Sequence, residues 1–248
     1  MLIISVIPRS RTGLLRKWIL KGFIGENLAL LPESPGTFSR INGNKIMKLE
    51  TTTVEIKTIK AYYTPEEYLQ LEEKADGKHE YHNGEIIPMT GGTTNHNKLA
   101  GNFYICLSLA LDELKYEVYI GDVKLWIPRY QEFTYPDVMV IEGQPIYYGT
   151  NTTTVTNPRL IAEVLSKSTK DYDRSDKFLY YRSIPEFQEY ILIDQTRYAV
   201  MQYVKTGDNK WILTEYEAEN DKLILSSVNV ELSLSQLYKK VNFAESVE

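Results

Sequence analysis

The sequence has few of the residues that build covalent or zinc-based sites, with one cysteine and three histidines among its 248 residues. Because Cys106 stands alone, no internal disulfide and no cysteine-based zinc site can form, and its position in an apolar stretch favours core packing. The longest apolar runs fall far short of the roughly 18 residues that a membrane span needs. We therefore predict a cytoplasmic protein without membrane association.

The three histidines do not form a recognisable zinc motif. His79 and His82 lie three apart with Glu80 between them, whereas the zinc-protease motif needs two histidines four apart on a helix. The Asn83-Gly84 pair that follows favours a tight hairpin instead. His96 lies near the start of a predicted helix, from which it would face the mouth of a site.

Positive charge is concentrated at the beginning of the chain. Residues 1–50 hold eight Lys and Arg against three Glu, and the remainder holds 20 Lys and Arg against 30 Asp and Glu, so a body of charge −10 follows a segment of charge +5. An acidic body argues against strong non-specific binding to nucleic acid, which depends on neutralising phosphates. It leaves room for a local basic groove or for a bound metal ion.

Composition divides the chain into two parts. We predict a poorly ordered extension over residues 1–55, because PESPGTFSRINGN is rich in Pro, Gly, Ser and Asn. Within it, GLLRKWILKGFI could form a short basic amphipathic helix for a membrane surface or a partner, but an unstructured leader is the favoured interpretation. A folded domain is predicted over residues 60–240.

The domain shows alternating helix and strand patterns. Thr64, Pro65 and Glu67 form a capping-box helix start, and HEYHNGEIIPM predicts a hairpin. A long helix over TNHNKLAGNFYICLSLALDEL has an apolar face. The further predicted elements are three strands in EVYIGDVKLWIP, YPDVMVIEG and RLIAEVL, a helix in DYDRSDKFLYYRS, a strand in EFQEYILID, tail strands over 197–232 and a short helix near Ser233–Tyr238. The order predicts a mixed α/β domain. The apolar face of the long helix comprises Leu99, Phe103, Leu107, Ala110 and Leu114.

Two carboxylates fall within apolar strands. Asp137 follows Pro136 and precedes four apolar residues, and Glu163 lies inside the run Ile161–Leu165. A buried unpaired carboxylate costs several kcal/mol, so such a group is usually paired, protonated or bound to metal. On adjacent strands about 4.8 Å apart, the two could share a divalent cation, and oxygen ligands suit Mg²⁺ or Mn²⁺ better than zinc.

Residues 63–195 resemble the Uma2 (DUF820) family of the PD-(D/E)xK nuclease superfamily. The motifs that carry the resemblance, in their order along the chain, are YTPEEYLQLEE, HEYHNGEIIPM, GDVKLWIP, YPDVMVIEG, RLIAEVLSKST and YDRSDKFLYYRSIPEFQEYILID. Pro136-Asp137 resembles the PD of the superfamily, Glu163 its acidic partner, and Glu80 the upstream acidic residue of the family. The resemblance implies a restriction-endonuclease-like core, with a central mixed sheet flanked by helices and extended by the hairpin and the C-terminal strands.

The sequence departs from the superfamily pattern at the lysine. Leu165 stands where the motif has Lys, on the same strand face as Glu163. The matching family residue is Lys177 in the following helix. Lys124, on a strand expected beside the Asp137 strand, and Lys167 are the other candidates.

The implied chemistry is hydrolysis of phosphodiester bonds in DNA, assisted by Mg²⁺ or Mn²⁺. Asp137 and Glu163 are the implied metal ligands, with Glu80 a direct or water-mediated third, and a lysine would position the attacking water. The alternatives are a non-catalytic module that keeps the fold, and hydrolysis of RNA or another phosphate ester. Superfamily enzymes often dimerise, which makes a homodimer an option that the sequence itself does not show.

Structural explanations exist for the same residues. Glu163 could form a buried ion pair with Arg159 or Lys124, and Glu80 could be a solvated hairpin residue. Lys177 could form an exposed pair with the residue four positions earlier, Asp173. The tyrosines, 19 in all, could stack on bases or fill half-buried sheet positions.

Overall fold

The computed structural model describes residues 62–167, 169–207 and 210–246. The extension predicted over 1–55, including the segment GLLRKWILKGFI, lies outside these residues. Within the described residues, no helix has both the length and the apolar character that crossing a membrane requires.

Five short or medium helices and thirteen strands make up the described part of the chain. The helices are α1 (Pro65–Glu72), α2 (Thr94–Ala110), α3 (Lys170–Arg174), α4 (Asp176–Tyr181) and α5 (Leu234–Leu237), followed by a 3₁₀ turn (Phe243–Ser246). The strands are β1 (His79–His82), β2 (Glu85–Pro88), β3 (Tyr116–Ile120), β4 (Lys124–Ile127), β5 (Glu132–Thr134), β6 (Val138–Glu142), β7 (Thr154–Val155), β8 (Leu160–Leu165), β9 (Glu189–Asp194), β10 (Val200–Thr206), β11 (Lys210–Tyr216), β12 (Lys222–Leu225) and β13 (Val230–Ser233).

The strands form three sheets. A six-stranded mixed sheet has the order β11-β10-β9-β8-β6-β3, a five-stranded sheet has the order β2-β1-β5-β4-β7, and β12 pairs with β13. In the larger sheet β8 and β9 run parallel, and α3 and α4 form the crossover between them. The expected α/β class, with a mixed sheet, flanking helices, an added hairpin and C-terminal strands, is confirmed.

The central strands of the six-stranded sheet, β6, β8 and β9, are buried on both faces. Successive residues of a strand point to opposite faces, and residues two apart share one face. On one face, Ala162 and Val164 pack with Leu99, Phe103 and Leu107 of α2. On the other face, Met139, Ile161, Leu165 and Leu192 pack with β4 and with Tyr181 of α4. Asp137 lies two residues from Met139, and Glu163 lies two residues from both Ile161 and Leu165. Both carboxylates therefore belong to this second face.

Several local predictions are confirmed. Thr64 caps α1, with its hydroxyl accepting the N–H of Glu67 while the Glu67 carboxylate accepts the N–H of Thr64. The hairpin turns at Asn83-Gly84, where both residues have positive φ, 43° and 105°. The β8 and β9 strands, the tail strands and the last short helix also lie where the sequence pattern places them.

The predicted single strand over EVYIGDVKLWIP is wrong. The chain bends at Gly121, which has φ 63°, so that β3 pairs with β6 while β4 joins the five-stranded sheet. Lys124 was expected on a strand beside the Asp137 strand. Because β4 pairs with β5 and β7 instead, this expectation is wrong. Two short strands of the structure, β5 and β7, were not predicted.

The helix predictions need two corrections. Helix α2 ends at Ala110 rather than Leu114, and both of these residues are exposed, so its core face is limited to Leu99, Ala100, Phe103 and Leu107. The helix predicted around Lys177 is two helices, because the backbone at Ser175 (φ −116°, ψ −82°) leaves the helical region. Cys106 is only partly buried.

Candidate active site

Asp137 and Glu163 lie opposite each other at one end of the β6–β8 pair. The antiparallel register aligns Val138 with Ala162, and one step further it aligns the two acidic residues. Backbone hydrogen bonds join the pair, since the N–H of Val164 donates to Asp137 Oδ2 at 2.8 Å and the N–H of Asp137 donates to Glu163 Oε2 at 3.3 Å. The strand pairing therefore holds both carboxylates in fixed positions.

Glu163 is buried, with 3% of its surface exposed, and its second carboxylate oxygen has two side-chain donors. Lys177 Nζ donates to Glu163 Oε1 at 3.1 Å, and the Tyr181 hydroxyl donates to the same oxygen at 2.6 Å. Both donors come from α4, where residues four apart share one face. This four-residue spacing is a sequence signal for Tyr181, which was not among the predicted site residues.

Lys177 is buried among three carboxylates. Besides Glu163, its Nζ lies 3.3 Å from Asp173 Oδ1 and 3.8 Å from Glu80 Oε1. The expected pair with Asp173 forms, across the break at Ser175. It is buried rather than exposed, because Asp173 and Lys177 are only 2% and 8% exposed. The structure thus brings the family-matched lysine to the strand carboxylates from a separate helix.

The other candidate lysines lie elsewhere. Lys124 Nζ sits 5.4 Å from the centre of the Tyr135 ring, and burial lowers the pKa of its amine. Lys167 is exposed just beyond the end of β8. Leu165 is buried on the Glu163 face as expected. Arg159, considered as a partner for Glu163, instead pairs with Glu142 at 2.6 Å.

Glu80 lies in the interior of the five-stranded sheet, because β1 is flanked by β2 and β5. The alternative of a solvated hairpin glutamate is therefore wrong, as the side chain is only 13% exposed. Its oxygens contact the Thr134 hydroxyl, His82 Nε2 at 3.4 Å and Lys177 Nζ. Burial opposes ionisation, but Lys177, His82 and Thr134 together lower the pKa of Glu80 to about 2.

A second set of buried polar groups supports Glu80. His82 Nδ1 forms a short ion pair with Glu132, and the Tyr172 hydroxyl donates to Glu132 Oε1 at 3.2 Å. Burial works against the charged imidazole, but Glu132 and Glu80 raise the pKa of His82 to about 9. Glu132 was not among the predicted site residues, because the short strand that carries it, β5, was not predicted.

His96, at the N-terminal end of α2, contacts the Asp137 carboxylate. Its Nε2 lies 3.2 Å from Asp137 Oδ2, in agreement with the expectation that it faces the site. Burial would lower the pKa of His96, and the contact with Asp137 raises it above its ordinary value. The start of α2 is fixed by Gln195, which contacts Thr93 and donates to the Leu165 carbonyl at 2.7 Å.

Electrostatics of the central pair are governed by burial. Removal from water raises the pKa of Glu163, nearby Asp137 and Asp173 raise it further, and Lys177 and Tyr181 oppose this effect. Burial opposes the charge of Lys177, but Glu163, Glu80 and Asp173 together raise its pKa well above the ordinary value. The lysine therefore carries a permanent positive charge beside the carboxylates.

The donor set fits a hard divalent cation in part. Within the described residues, Asp137 Oδ1 has no hydrogen-bond partner, and Glu163 Oε2 accepts only the long bond from the Asp137 N–H. Two carboxylate oxygens suit Mg²⁺ or Mn²⁺, which commonly retain water ligands. No group of three or more His, Cys, Asp and Glu side chains suited to a metal ion occurs among the same residues. Water or substrate oxygens would have to complete the coordination.

Comparison with known proteins gives a family and a fold. The model of the family described as "Uma2: Putative restriction endonuclease" matches residues 65–236. "Uncharacterized protein sll1609" of Synechocystis sp. is 46% identical over 167 residues, covering 67% of this chain and 94% of the relative. "Uncharacterized protein slr1290" of the same organism is 36% identical over 180 residues, covering 73% and 93%.

A crystal structure described as a putative nuclease belonging to DUF820, from Anabaena variabilis, superimposes with a TM-score of 0.61 at 17% identity, covering 73% of this chain and 99% of that one. The mixed sheet and the match to this structure define a protein of the restriction-endonuclease-like fold class. Within that class, the chain belongs to the Uma2 family.

Proposed function

We propose that the protein is a DNA endonuclease that depends on Mg²⁺ or Mn²⁺ and hydrolyses phosphodiester bonds. The observation that carries the proposal is the register of β6 and β8, which sets Asp137 opposite Glu163 with Lys177 Nζ 3.1 Å from the Glu163 carboxylate. A carboxylate pair beside a buried lysine ammonium group is suited to binding a metal ion, a phosphate and a water molecule together.

In this proposal Asp137 and Glu163 bind the cation, which would supply Lewis-acid stabilisation of the phosphate and help acidify water. Lys177 offsets negative charge that develops on the phosphate and orients the attacking water. Glu80 keeps Lys177 in place through the 3.8 Å contact and is a water-mediated ligand at most. Hydrolysis forms one bond between phosphorus and the water oxygen and breaks the bond to the leaving oxygen, which takes up a proton.

His96 completes the arrangement by holding Asp137. It lies against Oδ2, the same oxygen that accepts the Val164 N–H, so Oδ1 stays available to the cation. Partners of this kind orient a ligating carboxylate and usually affect metal affinity strongly.

A non-catalytic nuclease-fold binding module is the second candidate. Two observations favour it: Leu165 is buried where the superfamily pattern has a lysine, and the described residues hold no group of three metal-binding side chains. The two candidates differ in whether the purified protein cuts DNA.

Plasmid cleavage separates the candidates. We expect the wild type to nick or linearise plasmid DNA with Mg²⁺ or Mn²⁺ and not with EDTA. Asp137→Ala and Glu163→Ala should each lower the rate at least about 100-fold, because each removes a cation ligand. Lys239→Gln, a charge change at an exposed residue outside the site, is the control. Undiminished cutting by both alanine variants would overturn the assignment, and a wild type inactive on duplex and single-stranded DNA would favour the binding module.

A further inference from the structure

A pocket lies on the side of α4 that faces away from Glu163. Lys177 and Tyr181 point toward Glu163, whereas Leu179, Arg182 and Ser183 fall on the opposite face of the same helical segment. Together with Arg129, Tyr130, Lys205 and Trp211, these residues line a pocket of about 420 Å³. The volume lies within the range of small-molecule sites.

The charge of this pocket is opposite to that of the protein as a whole. Arg129, Arg182 and Lys205 line it, no Asp or Glu lines it, and the chain carries a net charge of −5. Within the described residues none of these three cations has a carboxylate within ion-pair distance, whereas Arg159 and Arg197 both do. Three uncompensated positive charges at one concave site attract an anion.

The cations are held by contacts that leave their hydrogen-bond donors available. The Arg129 guanidinium lies 5.8 Å from the centre of the Tyr130 ring, and that of Arg182 lies 5.5 Å from the centre of the Phe178 ring. A guanidinium stacked on a ring keeps its in-plane N–H groups, which match phosphate oxygens. Lys205 Nζ donates one long bond, 3.4 Å, to the Pro185 carbonyl and retains two more donors.

The pocket also has an aromatic wall. Trp211, half-buried on β11, is held edge-to-face by Phe178 with ring centres 5.1 Å apart, and its ring centre lies 5.6 Å from that of Phe187. An indole that is fixed on one side and open on the other can stack with a planar ring of a ligand.

We propose that this pocket binds a nucleoside phosphate, with the phosphate at Arg129, Arg182 and Lys205 and the base against Trp211. The unit is either a free nucleotide or one nucleotide of a single strand. The inference does not rest on the metal site, since none of these residues contacts Asp137 or Glu163, and it holds whether or not the protein cuts DNA.

Calorimetric titration in EDTA tests the proposal, because no metal-dependent cleavage can then interfere. The probes are dAMP, deoxyadenosine, inorganic phosphate and a single-stranded DNA 12-mer. We expect dAMP, the 12-mer or both to bind, with affinity falling as salt rises. Deoxyadenosine and phosphate should each bind more weakly, because each lacks half of the recognised group.

Variants identify the pocket. Arg182→Gln and Arg129→Gln should each weaken binding at least about tenfold, the usual effect of losing a charged hydrogen bond. Trp211→Leu should weaken dAMP binding without changing the affinity for phosphate. Lys239→Gln, which also removes one exposed positive charge, should leave binding unchanged, and melting curves verify that each variant is folded.

The outcomes are distinct. Binding by dAMP alone makes a free nucleotide the ligand, and binding by the 12-mer alone makes it a strand; both support the proposal. The proposal would be overturned if neither dAMP nor the 12-mer bound, if wild type and Arg182→Gln had equal affinities, or if inorganic phosphate bound as tightly as the better of these two ligands.

Discussion

Burying the Glu163 carboxylate costs folding free energy unless its charge is balanced. Its carboxylate is withdrawn from water, and the balance comes from Lys177, the Tyr181 hydroxyl and the Asp137 N–H. Removing one partner of a buried pair typically costs about 3–5 kcal/mol, because the remaining charge stays buried. Lys177 therefore has a structural role whatever its catalytic role. Glu163→Ala breaks the same buried pair, so loss of activity in Lys177→Ala or Glu163→Ala alone would not separate the two roles, and Asp137→Ala is the more informative variant.

Charge balance also sets an expected pH dependence of stability at His82. The pKa of its imidazole is about 9 in the folded protein and about 6.5 when unfolded. The folded state therefore holds the proton more tightly, so the stabilisation is fully present below pH 6.5 and is lost as pH rises toward 9. We expect a loss on the order of 2 kcal/mol over this interval.

Urea unfolding of wild type and His82→Gln at several values between pH 6 and 9.5 measures this contribution. His96 and Glu163 also have raised pKa values and lower stability in the same direction, so the difference between the two proteins is the informative quantity. Wild type should lose more stability than the variant over this range. Parallel curves would show that the His82 imidazole is not held in its charged form by Glu132 and Glu80.

The N-terminal end of α2 is the element that positions His96. Gly92 permits this placement, since a Cβ there would lie 2.9 Å from His96 Nδ1 and 3.0 Å from Cγ. A Cβ at Gly91 would meet no atom within 4 Å. The neighbouring glycines thus form a matched pair, in which one substitution must displace the imidazole and the other need not.

We expect Gly92→Ala to weaken Mn²⁺ binding about tenfold or more, as does loss of a partner that orients a metal ligand. Gly91→Ala should bind Mn²⁺ as wild type does. His96→Ala should resemble Gly92→Ala, and the double variant should be little worse than either, because both remove the same contact. Calorimetric titration with Mn²⁺ provides the measurement, and equal affinities of the two glycine variants would contradict the role of His96.

At the scale of elements, patterns confined to a few neighbouring residues were predicted correctly. The capping box of α1 and the Asn83-Gly84 turn depend on contacts within a few residues, and β8 is recognisable from its continuous apolar run. The division of 117–128 into β3 and β4 was missed because Gly121 redirects the chain into a different sheet, a choice made by tertiary packing. The end of α2 was misjudged because exposed Leu114 fits the helical period.

The site was predictable only in part for the same reason. Asp137, Glu163 and Lys177 were predicted as site residues by matching their motifs to those of the family. The structure places Lys177 within hydrogen-bond distance of Glu163. Glu132 joins the site through a contact with His82, 50 residues earlier, for which the local pattern gave no signal. Tyr181 and Asp173 each lie four residues from Lys177, but that spacing alone did not predict that they are buried beside Glu163. The roles of these residues in catalysis remain predictions.

At the scale of the molecule, the candidate site lies where the two larger sheets meet the crossover between β8 and β9. Glu80 comes from the smaller sheet, Asp137 and Glu163 from the larger one, and Lys177 from the crossover, so the cluster forms only in the complete fold. Under the proposed function, the acidic body would repel DNA, so attraction would have to come from the proposed cation and from local positive groups such as those of the pocket beyond α4.

The location of a bound cation tests the central claim, that Asp137 and Glu163 form a metal site, most directly. Crystals grown with Mn²⁺ reveal the ion by its anomalous scattering. We predict a peak about 2.0–2.4 Å from an oxygen of Asp137 and an oxygen of Glu163, lost in Asp137→Ala. A peak elsewhere, or none at this pair with Mn²⁺ in excess, would contradict the account.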